Sequence, residues 1–183
     1  MRKPRIIVYN DEQSLLDLLE ACFSKWGCEV FSYRYPVVCP VNGNSVHGCK
    51  CQEPCADLML SDFLLPQMTG TELFWRQAER GCKVAAKAKA IMSGYSKEKL
   101  LGFCENSGYR YFEKPLDYKE LIGWLGECWS NYDPLKQLGG SPEKVRYESR
   151  QGIEHCLNSS GLQEEYEGWK LVSPVQLFQA SLN

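Results

Sequence analysis

LMLSDFLLPQMTG, residues 58–70, is a short apolar run that closes on an acidic residue, Asp62, followed by a turn marked by Pro66 and Gly70. A buried strand rarely ends in a carboxylate by chance, because isolated buried charge is costly unless a partner or a cation offsets it. On either side of this stretch, strand-like runs alternate with helical periodicity. RIIVYN (5–10) and CEVFSY (28–33) precede it, and KAIMS (89–93) and YRYF (109–112) follow. Leu15, Leu19, Cys22, Phe23 and Trp26 form an apolar helical stripe that Gly27 should stop. A second helix is expected from about Gly70 to Arg80, carrying Leu73, Phe74 and Gln77. Ser96 can cap a third, with Glu98 in its first turn and Leu100, Leu101 and Cys104 inward. Leu121, Ile122, Trp124, Leu125, Cys128 and Trp129 give a last amphipathic helix. Five strands alternating with helices predict an α/β fold, a doubly wound parallel sheet with its site at the carboxyl ends of the strands.

The remaining composition bounds the function. At 183 residues the chain has room for one full domain and a short extension. A net charge of -2 excludes a strongly basic nucleic-acid binder, and no apolar run approaches the roughly 20 residues of a membrane span. The start, MRKPRIIVYNDEQ, is too short in apolar residues for a signal peptide, so a cytoplasmic location is expected. The domain is placed at 1–134 and the extension at 135–183. The extension has five basic and six acidic side chains, no helix-turn-helix signature and no basic stripe, so it is read as docking on the domain or on a partner.

One segment breaks the rhythm. YPVVCPVNGNSVHGCKCQEPC, the core of a cysteine-rich loop at 34–56, stands where a crossover helix belongs and has no helical stripe. Cys39, Cys49, Cys51 and Cys55 are spaced C-x9-C-x-C-x3-C, with His47 nearby. Four thiolates on a loop bent by Pro40, Gly43, Gly48 and Pro54 can reach a tetrahedral site, and ligation would explain how such a loop is ordered. The metal reading, zinc before iron–sulfur, is weighed against a redox-active disulfide pair and against incidental thiols. Cys22, Cys104 and Cys128 are expected in the core, while Cys28, Cys82 and Cys156 carry no signal of their own.

Polar residues gather at the expected strand ends: Asn10, Asp11 and Glu12, then Asp62, Ser93 and Lys114. Oxygen ligands there can hold Mg²⁺, which keeps several waters. A metal and a lysine can neutralise a phosphoryl group, a hydroxyl can donate to it, and the remaining carboxylate can act as nucleophile.

On IIVYNDE, LMLSDFLLPQMTG, AIMSG and YFEKP, residues 4–132 resemble the response-regulator receiver domain of two-component signalling, a flavodoxin-like fold. The resemblance implies that Asp62 accepts a phosphoryl group from a histidine kinase or phosphotransfer protein. It further implies that Asn10, Asp11, Asp62 and the Leu64 carbonyl surround Mg²⁺, and that Ser93 and Lys114 contact the phosphoryl group. Tyr111 falls at the family's switch position, though plain core packing explains it equally well. The Lys114–Pro115 peptide is expected to be cis. Such a protein would not be an enzyme beyond its own phosphotransfer and dephosphorylation. It would switch a face for a downstream protein, with a homodimer left open and neither nucleic acid nor membrane bound directly. The chain departs from the family at Asn10, where an acid is usual, and in the cysteine loop. Leu64 and Tyr95 flank the path of attacking water and predict slow loss of phosphate. The alternative is a phosphorylation-independent docking module, or a metal or redox sensor, using the cysteine loop. A flavodoxin-like electron carrier fits poorly, because Asp11 and Glu12 would repel an FMN phosphate.

Overall fold

The structure is a computed structural model that describes residues 2–42, 48–94, 97–130 and 132–142. Five strands form one parallel sheet in the order β2-β1-β3-β4-β5. They are β1 (Arg5–Tyr9), β2 (Glu29–Tyr33), β3 (Leu58–Asp62), β4 (Lys89–Ser93) and β5 (Arg110–Glu113). Between and after them run α1 (Gln13–Lys25), α2 (Gly70–Glu79), α3 (Lys97–Ser107) and α4 (Tyr118–Trp129), with a short 3-10 helix at Ala86–Ala88.

The alternation of side chains along each strand sorts the core into two layers. Ile6, Val8, Leu58, Leu60, Ala90 and Met92 meet α1 and α4 through Leu16, Leu19, Phe23, Leu121, Trp124 and Leu125. Ile7, Tyr9, Met59 and Ile91 face the other way, onto Leu73 and Phe74 of α2 and Leu100 and Cys104 of α3. Burial on both faces explains why β3 and β4 read as continuous apolar runs. Gly27 ends α1 with a positive φ of 86°.

Packing corrects the expected helical stripes in two places. In α1 it is Leu16, with Leu19 and Phe23, that is buried, while Leu15 and Trp26 pack at the margin. Cys22 is half-buried, its sulfur 3.8 Å from the Tyr118 hydroxyl, rather than in the core. On α4, Ile122 points outward and is 47% exposed. Cys28, which carried no signal, is buried, as is Cys104.

Among the described residues the β2–β3 crossover contains no helix. Its two ends are instead pinned to the sheet. Val38, Cys55 and Ala56 are buried in the second core layer, and the Tyr9 hydroxyl donates to the Val37 carbonyl at 3.1 Å. Arg5 Nη1 donates to the Cys55 carbonyl, also at 3.1 Å, and the Cys49 N–H donates to the Arg80 carbonyl at the end of α2 (2.7 Å).

After α4 the chain turns back across the amino edge of the sheet. Arg2 Nε donates to the Lys136 carbonyl at 2.6 Å, and the Tyr132 hydroxyl donates to the Arg2 carbonyl. Arg5 Nη1 also reaches the Gly140 carbonyl at 2.7 Å, and the Gly139 N–H bonds the Pro54 carbonyl at 2.9 Å. The first residues of the extension therefore dock on the domain; residues 143–183, with Cys156, lie outside the described residues. No described helix is long and apolar enough to cross a membrane.

Candidate functional site

Because all five strands are parallel, the residues that end them meet at one edge. Asp62 is the last residue of β3 and Ser93 the last of β4; Asn10 and Lys114 directly follow β1 and β5. Asn10, Asp62 and Ser93 are all buried.

Asp62 is held from two sides. Lys114 Nζ donates to its Oδ2 at 2.6 Å, and Asn10 Nδ2 donates to the same oxygen at 3.0 Å. The backbone N–H of Leu64 adds to these. Asn10 is itself fixed by its Oδ1, which accepts the Glu12 N–H at 2.7 Å. Burial pushes the Asp62 carboxyl above its ordinary value, and the hydrogen bond and charge of Lys114 pull it back only in part. The carboxylate is thus poorly solvated and depends on neighbouring cations, a condition suited to a nucleophile that meets a charged substrate.

The segment after Asp62 is built for close approach. The Phe63 N–H bonds the Met92 carbonyl and the Phe63 carbonyl accepts the Gly70 N–H, both at 2.8 Å. Thr69 caps α2 by accepting the Glu72 N–H at 3.1 Å. A Cβ on Gly70 would lie 2.2 Å from the Asp62 carbonyl oxygen, so only glycine lets α2 start this close to β3. Lys114 is aimed at Asp62 across the cis Lys114–Pro115 peptide, as expected. The Ser93 carbonyl accepts the Lys114 N–H at 2.8 Å and lies 3.5 Å from the Tyr111 hydroxyl. Tyr111 is half-buried against the second core layer.

Oxygen donors for a hard cation are present at Asp62 and at Asp11, which is exposed two residues after β1, with the Leu64 carbonyl two residues on from Asp62. This set fits Mg²⁺, which takes one or two carboxylates and keeps waters. Asn10 Oδ1 accepts the Glu12 N–H, and its NH₂ donates to Asp62. The sequence marked Asn10 as a missing charge beside the expected Mg²⁺; its role as a donor to Asp62 depends on a contact 52 residues away. Leu64 is 40% exposed beside the site, whereas Tyr95 is outside the described residues.

The expected metal site of the cysteine loop finds no support among the described residues. Among the described residues, no group of three or more His, Cys, Asp and Glu side chains is arranged to hold a metal ion. The loop is ordered by other contacts: Cys55 is buried in the core, Cys51 Sγ donates to the Gly139 carbonyl at 2.7 Å, and Cys49 is tied through its backbone to Arg80. His47 and Gly43 lie outside the described residues. All nine described cysteines are free thiols. Burial and neighbouring thiols raise Cys39 and push Cys51 to about 11 and Cys55 to about 12.

No model of a protein family and no curated protein matches the sequence. Solved structures do. The receiver domain of a Francisella response regulator superposes with a TM-score of 0.57 at 17% identity, over 70% of this chain and 98% of that one. A response regulator receiver domain from Methanospirillum hungatei JF-1 gives 0.57 at 22% identity, over 71% and 96%. The signal receiver domain of an HD domain-containing protein from Pseudomonas fluorescens Pf-5 gives 0.53 at 23%, over 71% and 97%. These likenesses show that the chain has the receiver fold.

Proposed function

From the receiver fold that this chain shares with those domains, we propose that it is a response regulator and that Asp62 is its phosphoacceptor. The observation that carries this reading is a carboxylate at the carboxyl edge of the sheet, largely buried and bonded to one ammonium and one amide. An Asp62 oxygen attacks the phosphorus of a phosphohistidine or a small acyl phosphate. The O–P bond forms as the bond to the donor breaks, and the leaving group departs with the electron pair. Lys114 balances the charge that builds on the transferred group, and the Ser93 hydroxyl donates to one of its oxygens. Asp62, Asp11 and the Leu64 carbonyl would hold Mg²⁺, whose charge draws the phosphodonor to the edge.

A histidine kinase or phosphotransfer protein is the proposed donor. The proposed output face is α3, β5 and α4, where Tyr118 and Ile122 stand exposed at 42% and 47%. Movement of Ser93 and Tyr111 would couple the two, since the Tyr111 hydroxyl already sits by the Ser93 carbonyl. The test is intact mass after incubation with acetyl phosphate and Mg²⁺. The parent gains one phosphoryl mass and Asp62→Asn gains none; a variant that still gains it refutes the assignment.

A further inference from the structure

At the amino pole of the sheet, the start of β3, the end of α4 and residues 132–138 enclose a cavity of about 470 Å³. That is within the range of small-molecule sites, roughly 300–1,000 Å³. Trp124 and Trp129 of α4 line it, with Tyr132 and Leu138 beyond them. Trp124 is 2% exposed, and its indole N–H is buried with no hydrogen-bond partner among the described residues. A buried donor is ordinarily met by protein, water or a ligand. The wall built from the stretch after α4 is held in place. The Arg2 guanidinium lies 4.7 Å from the centre of the Tyr132 ring, and the Gly139 N–H bonds the Pro54 carbonyl.

The charges around the cavity are unevenly matched. Three acids line it, and each has a partner. Asp57 accepts both Arg2 Nη1 and Nη2, at 2.6 and 2.7 Å. Glu127 lies 3.7 Å from Arg110 Nη1, and Asp133 Oδ1 accepts the Leu135 N–H at 2.8 Å. Of the basic lining residues, Arg2 is paired with Asp57, and Lys136 with Glu53 at 3.0 Å. Lys83 and Lys87 remain. Both line the cavity from the segment before β4, both are exposed, and neither has a carboxylate partner among the described residues.

We propose that this cavity binds a small organic anion with a flat aromatic body, its acidic group toward Lys83 and Lys87 and its rings against Trp124, Trp129 and Tyr132. The division of labour follows from the surroundings. Aromatic walls bury a large area of a planar ligand and favour offset or edge-to-face contact, so the body supplies most of the affinity. Exposed lysines each contribute little, so the charge supplies selection for an anion rather than raw strength. The site is separate from Asp62, which lies at the other end of β3. Because residues 132–138 form one wall, an occupant would also hold that stretch on the domain.

The experiment titrates the full chain at neutral pH with two fluorescent probes, anilinonaphthalene sulfonate and its uncharged counterpart phenylnaphthylamine. The parent should bind one equivalent of the sulfonate with a dissociation constant on the order of micromolar. The Trp124 indole N–H resonance should move as it binds. Lys83→Gln with Lys87→Gln should weaken the sulfonate about five- to tenfold and leave the uncharged dye within about twofold. Ala85→Phe, at another exposed lining position, should fill the cavity and weaken both dyes alike. All three substituted positions are exposed, so these variants leave the core as it is. A parent that binds neither dye overturns the proposal. So does sulfonate binding that both variants leave unchanged, or that saturates with the Trp124 resonance in place. Equal loss of both dyes in the double lysine variant overturns the assignment of an anion.

Discussion

Replacing Asn10 by aspartate tests the acidic edge most directly. Asn10 is fully buried and its Nδ2 lies 3.0 Å from Asp62 Oδ2. Asn10→Asp removes a donor and sets a second carboxylate at about that separation. Two unit charges there repel by about 5 kcal/mol at an effective dielectric of about 20. The lost hydrogen bond to a charged group adds about 1.5–3 kcal/mol. Proton uptake caps the sum. Holding one carboxyl neutral at pH 7 against an ordinary value near 4 costs about 4 kcal/mol, and the proton then restores a bond between the two. A net loss of about 2–4 kcal/mol is expected in the absence of divalent cations. Mg²⁺ should offset much of that loss, because the added carboxylate becomes a ligand. Binding at a hundredfold excess over Kd returns about 2.7 kcal/mol. The assay is urea unfolding followed by tryptophan fluorescence, in EDTA and in saturating Mg²⁺, for parent and variant. A variant as stable as the parent in EDTA would show that position 10 does not face Asp62. Destabilisation that Mg²⁺ leaves untouched would show that this edge does not hold the ion.

Asp62 has its carboxyl raised by burial, so the folded state binds the proton more tightly than the unfolded one. Its contribution to stability is full below the ordinary aspartate value near 4 and is lost as pH rises through the raised one. Asp62→Asn should flatten that decline in metal-free urea titrations, and an unchanged slope assigns it to another group. Gly70→Ala places a Cβ 2.2 Å from the Asp62 carbonyl oxygen and 2.6 Å from Ser61 Oγ. The crowding should cost about 1–3 kcal/mol by chemical denaturation and slow acetyl-phosphate labelling of Asp62. Gly139→Ala meets the Glu53 carbonyl at 2.0 Å and the Cys51 Cβ at 2.8 Å. It should free the segment that crosses the amino edge, seen as faster proteolysis between residues 50 and 56 with labelling of Asp62 retained.

The strands were legible because burial on both faces leaves few choices of residue: KAIMS matches β4 residue for residue, β1 and β2 differ by one at one end, and β5 is shifted by one at both. The first helix was legible only as a helix. Leu15, Leu16, Leu18 and Leu19 offer two faces of similar hydropathy, and the sheet decides that Leu16 and Leu19 turn in while Leu18 is 48% exposed. Asp62 and Lys114 could be placed because each ends or follows a strand, and parallel strands bring such positions together whatever the loops do. The cysteine loop could not be read this way. Spacing measures how far its thiols reach, but their contacts come from Arg80 and Gly139, distant in sequence and ordinary in type. The lysine in KAIMS was visible as a charge in an apolar run, yet its partner, Gln77, lies on another element.

The crossing of the amino edge by residues 132–140 has a consequence for traffic around the molecule. Arg2 and Arg5 grip the Lys136 and Gly140 carbonyls at the pole where the strands begin, and Asp62 sits at the pole where they end. A five-residue strand spans about 17 Å, so the two poles are separated by the full depth of the sheet. Both mooring points of the polypeptide, its first described residues and its last, are gathered on the far side from the carboxylate. Among the described residues, Asp62 is surrounded by strand ends and loops, and neither described end of the chain lies beside it. The stretch that ends at residue 142, the last one described, lies at the opposite pole. News of a change at Asp62 must then travel through the body of the domain or around its flank to reach it.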